Sequence, residues 1–224
     1  MTNVLVVAAH PDDEVLGCGG TVATHASRGD VVRSLILAEG ATSRDGDNAS
    51  SQIKLLRSAA CKAASMLGAQ EPQFAGLPDN RMDSIDLLSV VKIVEDVIRG
   101  FEPSIIYTHH GADLNVDHRI THAAVVTACR PLPGATVRSV YSFETASSTE
   151  WSSQEQSVAF RPNHFVDISA HLSAKNDALQ CYDMEMRSFP HARSVDAVEA
   201  LARTRGASVG LAAAEAFSVL RQIR

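Results

Sequence analysis

The chain has 224 residues, 45% of them hydrophobic, with twenty lysines and arginines against twenty-six acidic residues for a formal net charge of -6. Such a composition supports one substantial core and offers no basic run for a nucleic-acid backbone, and no apolar stretch nears the roughly 20 residues a membrane span needs. Cys18, Cys61, Cys129 and Cys181 lie too far apart for a disulfide framework or a thiolate zinc site, and no secretory leader is evident, so the expectation is a single domain over 1–224 in the cytoplasm.

The first element is the apolar run Val4 to Ala9, a strand over 3–9 buried on both faces. His10-Pro11-Asp12-Asp13-Glu14 follows at once. Proline holds His10 extended, and the carboxylates fall at the start of a helix over 15–28, where the helix dipole favours their ionised forms. Gly17-Cys18-Gly19-Gly20 suits a close helix approach but lacks the G-x-G-x-x-G spacing of a dinucleotide fingerprint, which argues against a nucleotide-binding module. A second strand is predicted at 31–38 and a helix at 50–67 carrying Arg57. Pro78 introduces a turn through Asp79, Asn80 and Arg81. Ile85, Leu88, Val91 and Ile98 keep helical spacing over 84–100, with Gly100 as a stop.

The strand at 104–108 ends on Thr108-His109-His110 and leads through Asn115-Val116-Asp117-His118 into a helix at 118–130, where His122 reads as a packed side chain. A strand at 138–143 is followed by a polar loop, Ser142 to Ser157, and helices are predicted at 170–187 and 194–221, the second with Glu215 and Phe217 inside it. Alternating strands and helices make the class α/β with a mainly parallel sheet. Ligands of such sheets bind beyond the carboxyl ends of strands, and both histidine-rich segments fall there.

A zinc ion with one open position needs about three protein ligands and lowers the pKa of its water to roughly 7. His10, Asp13 and one histidine from 109–122 meet that count, leaving Asp12 to accept a proton. Capping of the next helix by Asp12 and Asp13 is the competing account of the same residues. Adjacent aspartates with a late Asp-His pair also fit a phosphoesterase built on two metals about 4 Å apart, acting on a small sugar or nucleotide phosphate.

Ala9-His10-Pro11-Asp12-Asp13-Glu14 joined to Asn115-Val116-Asp117-His118-Arg119 resembles the PIG-L/LmbE-like family of zinc-dependent N-deacetylases. The resemblance extends through Leu67-Gly68, the stretch Gly76 to Asp83, Phe189-Pro190-His191 and Ala214-Glu215-Ala216-Phe217. It implies a Rossmann-like fold, zinc or another divalent ion such as Fe2+ held by His10, Asp13 and His118, Asp12 as general base, and Asp117 tuning a histidine. The implied reaction removes an acetyl group from an N-acetylated amino sugar, such as an N-acetylglucosamine derivative, or a related small amide. A homo-oligomer is the corresponding expectation for assembly. Arg57, Asn80, Arg81, His109 and His191 are the expected substrate contacts.

One departure stands out: many relatives have a histidine where this chain has Asn115. An amide donates to an oxyanion but delivers no proton at neutral pH, so His109, His110, His191 or Asp12 must serve as the acid. Arg187, His191, Arg193, Arg203 and Arg205 concentrate basic character late in the chain, which could face an anionic or nucleotide-linked sugar, although scattered surface charge is the commoner explanation. Trp151 and Phe189 are expected to anchor their loops or to stack on a sugar face.

Overall fold

The computed structural model describes residues 1–41, 49–155 and 158–223. Its strands are β1 (Asn3–Ala8), β2 (Val31–Ala38), β3 (Gln73–Leu77), β4 (Ile105–His109), β5 (Ser139–Phe143), β6 (His164–Asp167) and β7 (Ala214–Gln222). The helices are α1 (Asp13–Ser27), α2 (Ala49–Met66), α3 (Leu87–Phe101), α4 (Val116–Ala128), α5 (Leu172–Gln180) and α6 (Val195–Ala207). The strands form one sheet in the order β3-β2-β1-β4-β5-β7-β6. The first five are parallel, while β7 runs antiparallel to both β5 and β6.

β1 shows why the sheet is covered on both faces. Val4 and Val6 enter one core with residues of α1, α2 and α5, whereas Leu5 and Val7 enter the other with residues of α3 and α4. Alternation along a strand sends neighbours to opposite faces, so a continuous apolar run reports two packed layers. Strand order reverses between β1 and β4, which opens a crevice beyond their carboxyl ends. α1 lies so close to β5 that a methyl group at Gly17 would overlap the Phe143 ring.

The C-terminal third departs from the sequence reading. In place of one helix over 194–221, α6 stops at Ala207, Gly210 turns the chain with φ 78°, and Ala214 to Phe217 form a strand. An alanine-rich run carries little periodicity, and these four residues are all buried because β7 lies between two other strands. The expected helix at 170–187 is likewise only Leu172–Gln180. Beyond it Tyr182 turns inward and is fully buried. β3 and β6, both at sheet edges, are too short to be marked by their sequences. α4 begins at Val116 rather than 118 because the Asn115 side chain accepts the Asp117 N–H, placing His118 in the first turn. Ser142 belongs to β5, not to the polar loop after it. None of the described helices is long and apolar enough to cross a membrane.

Candidate active site

β1 ends in a tight turn in which Asp12 adopts φ 112°, a conformation costly for a residue with a side chain. Glu14 holds it there. Its Oε2 accepts the Asp12 N–H at 3.1 Å, and its Oε1 accepts the hydroxyl of buried Tyr182. Burial pushes the Glu14 carboxyl up to about 7. The strained turn aims Asp12 and Asp13 in different directions, so neighbours in sequence face different partners.

Asp13 Oδ2 lies 3.1 Å from His10 Nδ1 and 3.2 Å from His118 Nε2, with the His10 backbone N–H donating to it at 2.9 Å. Donors around a small four-coordinate cation with bonds of about 2.1 Å sit about 3.4 Å apart, close to these separations. Asp13 Oδ1 and His118 Nε2 are buried and make no hydrogen bond. An unsatisfied buried polar atom costs about 1–3 kcal/mol, and a cation shared by both would remove that cost. His10, Asp13 and His118 therefore fit a divalent metal by number, donor type and spacing.

Each histidine is held from behind by a carboxylate, an arrangement that fixes ring orientation at metal centres. Asp117 Oδ2 lies 3.0 Å from His10 Nε2 and also accepts the backbone N–H of Asn80 at 2.6 Å, while its Oδ1 accepts Met82 N–H at 2.9 Å. Asp117 thus ties the 79–82 turn to His10. On the other side His118 Nδ1 donates to Asp113 Oδ1 at 2.9 Å. Burial works against ionisation of Asp113, but hydrogen bonds from His118, Ser148 and Thr149 outweigh it and hold the carboxyl well below the usual range. For His10 burial acts to lower the pKa, yet the Asp117 and Asp13 carboxylates raise it to about 10.

Asp12 faces a cleft of about 210 Å³ beside His10, Asp79, Asn80 and Asn115. Burial pushes its carboxyl up to about 8 against the opposing pull of Arg193, whose Nη1 lies 2.8 Å from Oδ2. Arg193 is positioned in turn by Nε donating to Ser147 Oγ at 2.7 Å. The sequence reading placed this arginine only in a group of late basic residues, read as surface charge or as facing an anionic sugar, and it missed Asp113 and Glu185 entirely. Asp113 carried one faint signal, a carboxylate five residues before a candidate ligand in a turn.

Several expected substrate contacts lie elsewhere. His109 is fully buried: Nε2 accepts the Ala9 N–H at 2.9 Å, Nδ1 donates to Thr145 Oγ1, and the ring stacks on His118, so it supports the site from beneath and cannot touch substrate. His110 donates Nε2–H to Val158 O at 2.8 Å, away from the cleft. Arg57 pairs with Glu39 at 2.6 Å and lies over Phe74. Arg81 is exposed, and His191 sits near the rim with Nδ1 accepting the Arg193 N–H and its ring edge-on to Trp151. Trp151 and Phe189 are more than half exposed, so neither anchors its loop in the core. Arg203 and Arg205 form ion pairs with Glu199 and Glu144. Asn80 and Asn115 do line the cleft, joined by Asn115 Nδ2–H donating to Asn80 Oδ1 at 2.9 Å.

A buried His/Asp group that could hold a metal lies at the switch point of a mainly parallel sheet, where such folds bind their ligands. Residues 5–129 match the PIG-L family, described as GlcNAc-PI de-N-acetylase, and the chain belongs to that family. The uncharacterised deacetylase YaiS of Escherichia coli K12 is 29% identical over 170 residues, 74% of this chain and 81% of that protein. The 4-oxalmesaconate hydratase of Pseudomonas putida is 29% identical over 196 residues, 80% of this chain and 72% of that protein. Among solved structures, GalB, the 4-carboxy-2-hydroxymuconate hydratase of P. putida KT2440, superimposes with a TM-score of 0.81 at 24% identity, covering 100% of this chain and 98% of that one. N,N'-diacetylchitobiose deacetylase from Pyrococcus horikoshii gives 0.78 at 17% identity, covering 98% and 84%. The fold expectation is borne out, and the likeness to these structures concerns the fold.

Proposed function

We propose that residues 1–224 form one catalytic domain, a zinc-dependent hydrolase that removes the N-acetyl group from an amino sugar or related small amide. The observation that carries this reading is the convergence of His10, Asp13 and His118 on one point with the Asp12 carboxylate alongside. A divalent ion held by those three side chains supplies a Lewis acid and lowers the pKa of water toward roughly 7.

The chain's own groups then have separate tasks. Asp12 in its ionised form takes a proton from the attacking water, and Arg193 orients that carboxylate and favours its ionised form against the opposing effect of burial. Asn115 uses Oδ1 to cap α4 and one Nδ2 hydrogen on Asn80, leaving the other hydrogen for the developing oxyanion. Water adds to the carbonyl carbon, the C–N bond breaks, and the proton held by Asp12 passes to the departing nitrogen. Of the four groups considered as that acid, only Asp12 lines the cleft. The products are acetate and a primary amine.

A second reading draws on the hydratase relative and on Asn115. Adding water across a carbon–carbon double bond releases no amine, so it needs no acid at a departing nitrogen, and the same Asp12 would activate the water. Mass spectrometry on a panel of N-acetylated amino sugars and of unsaturated dicarboxylates, with and without chelator, separates the two. Chelator-sensitive loss of acetyl supports deacetylation, and a gain of one water with no acetate supports hydration. In either case Asp12→Asn is expected to lower the rate by about 10²–10⁴-fold, and a rate within a few fold of wild type refutes its assigned role.

A further inference from the structure

The turn after β5 reads in sequence as a solvent-exposed polar loop, yet Thr145, Ser148 and Thr149 are all buried. Their hydroxyls face the underside of the site. Ser148 Oγ donates to Asp113 Oδ1, and Thr149 Oγ1 donates to Asp113 Oδ2 at 2.5 Å. Asn115 N–H adds a second bond to Oδ1 at 2.9 Å. His118 Nδ1–H is the third donor to Oδ1, at 2.9 Å. The same turn reaches two further parts of the site, through Thr145 to His109 and through Ser147 to Arg193.

We propose that Ser148 and Thr149 are positioning residues that, by clamping both oxygens of Asp113, set the tautomer and orientation of His118 and so tune its grip on a divalent cation. The proposal rests on the metal-site reading given above. Its physical basis is simple. A carboxylate fixed on both oxygens restricts how the imidazole can approach, so the ring proton is held on Nδ1 and the Nε2 lone pair is left for the cation shared with Asp13. Without the hydroxyls Asp113 rotates or takes up water, and the ring loses that restraint. Partners of metal-bound histidines affect metal affinity by about 10–100-fold in other proteins. Burial of the Ser148 and Thr149 hydroxyls in a loop also has no apolar packing reason, whereas donation to a buried carboxylate explains it.

The test measures zinc binding to the full chain by competition with a fluorescent chelator, alongside the melting temperature of the metal-free protein. Ser148→Ala and Thr149→Val are each expected to weaken the dissociation constant by about 10–100-fold, while Thr149→Ser, which keeps the hydroxyl, stays within about threefold of wild type. The metal-free melting temperature of Ser148→Ala is expected to shift far less than its affinity predicts, which separates positioning from general destabilisation. Thr149→Val also removes the acceptor for the Thr145 N–H, so Ser148→Ala is the cleaner variant. If wild type binds one zinc and both hydroxyl deletions bind equally tightly, or if Thr149→Ser is as weak as Thr149→Val, the proposal is overturned. A wild-type chain that binds no zinc overturns the metal-site reading itself, and this inference with it.

Discussion

Arg193 meets Asp12 across 181 positions of sequence, Nη1 to Oδ2 at 2.8 Å, and so places a cation from the turn before α6 against the strained end of β1. Glu185 Oε2 stands 3.8 Å from the same nitrogen. The contact opposes the protonation that burial favours in the one carboxylate assigned to proton transfer.

Replacing this arginine therefore predicts a shift in pH dependence. Burial pushes Asp12 up to about 8 even with Arg193 beside it, and only the ionised form accepts a proton. Loss of the cation disfavours that form, so in Arg193→Met the acid limb of kcat/KM is expected to move to higher pH by about 1–3 units. Activity near neutrality then falls while activity at high pH partly recovers. An unchanged profile contradicts the role given to Arg193.

Metal uptake is expected to be pH-dependent in a defined direction. In the metal-free chain burial works to lower the His10 pKa, but Asp117 and Asp13 raise it to about 10. Below that value a cation must displace a proton, so affinity rises with pH by up to about tenfold per unit for one proton released. Isothermal titration in buffers of different ionisation enthalpy measures that release directly. Affinity that is flat between pH 6 and 8 would count against His10 as a ligand.

Lys175 and Glu215 test the support of α1. Lys175 Nζ lies 2.6 Å from Glu215 Oε1 and donates to Leu16 O at 2.9 Å, while Glu215 accepts the backbone N–H groups of Gly20 and Thr21. Both side chains are buried. Lys175→Met leaves a buried carboxylate without its counter-charge, a loss of about 3–5 kcal/mol. A drop of roughly 10 °C in melting temperature is expected, with metal stoichiometry retained in the folded fraction. A drop of only a degree or two would mean that water reaches Glu215.

Gly17→Ala probes the packing of α1 on β5. The added methyl would collide with the Phe143 ring, and overpacking of this kind typically costs about 1–3 kcal/mol. Chemical denaturation should show the midpoint falling with an unchanged slope. An equally stable variant would show that the helix can retreat from the sheet.

The sequence by itself determined the parts that depend on local pattern. The apolar run of β1 with His10 to Glu14 at its end, the spacing of α3, and the pairing of two histidine-rich loops with strand ends were all legible, because period and strand-end chemistry are written in consecutive residues. The tertiary structure decided the rest. β7 looked like helix because an alanine-rich strand buried on both faces shows no alternation, and its identity comes from the strands on either side of it. Asp113, Arg193, Ser148 and Thr149 look like ordinary loop residues until the chain closes, since a partner's role is set by distance in space. His109 illustrates the reverse: its position in the sequence suggested a substrate contact, and only its burial beneath His118 made it a support.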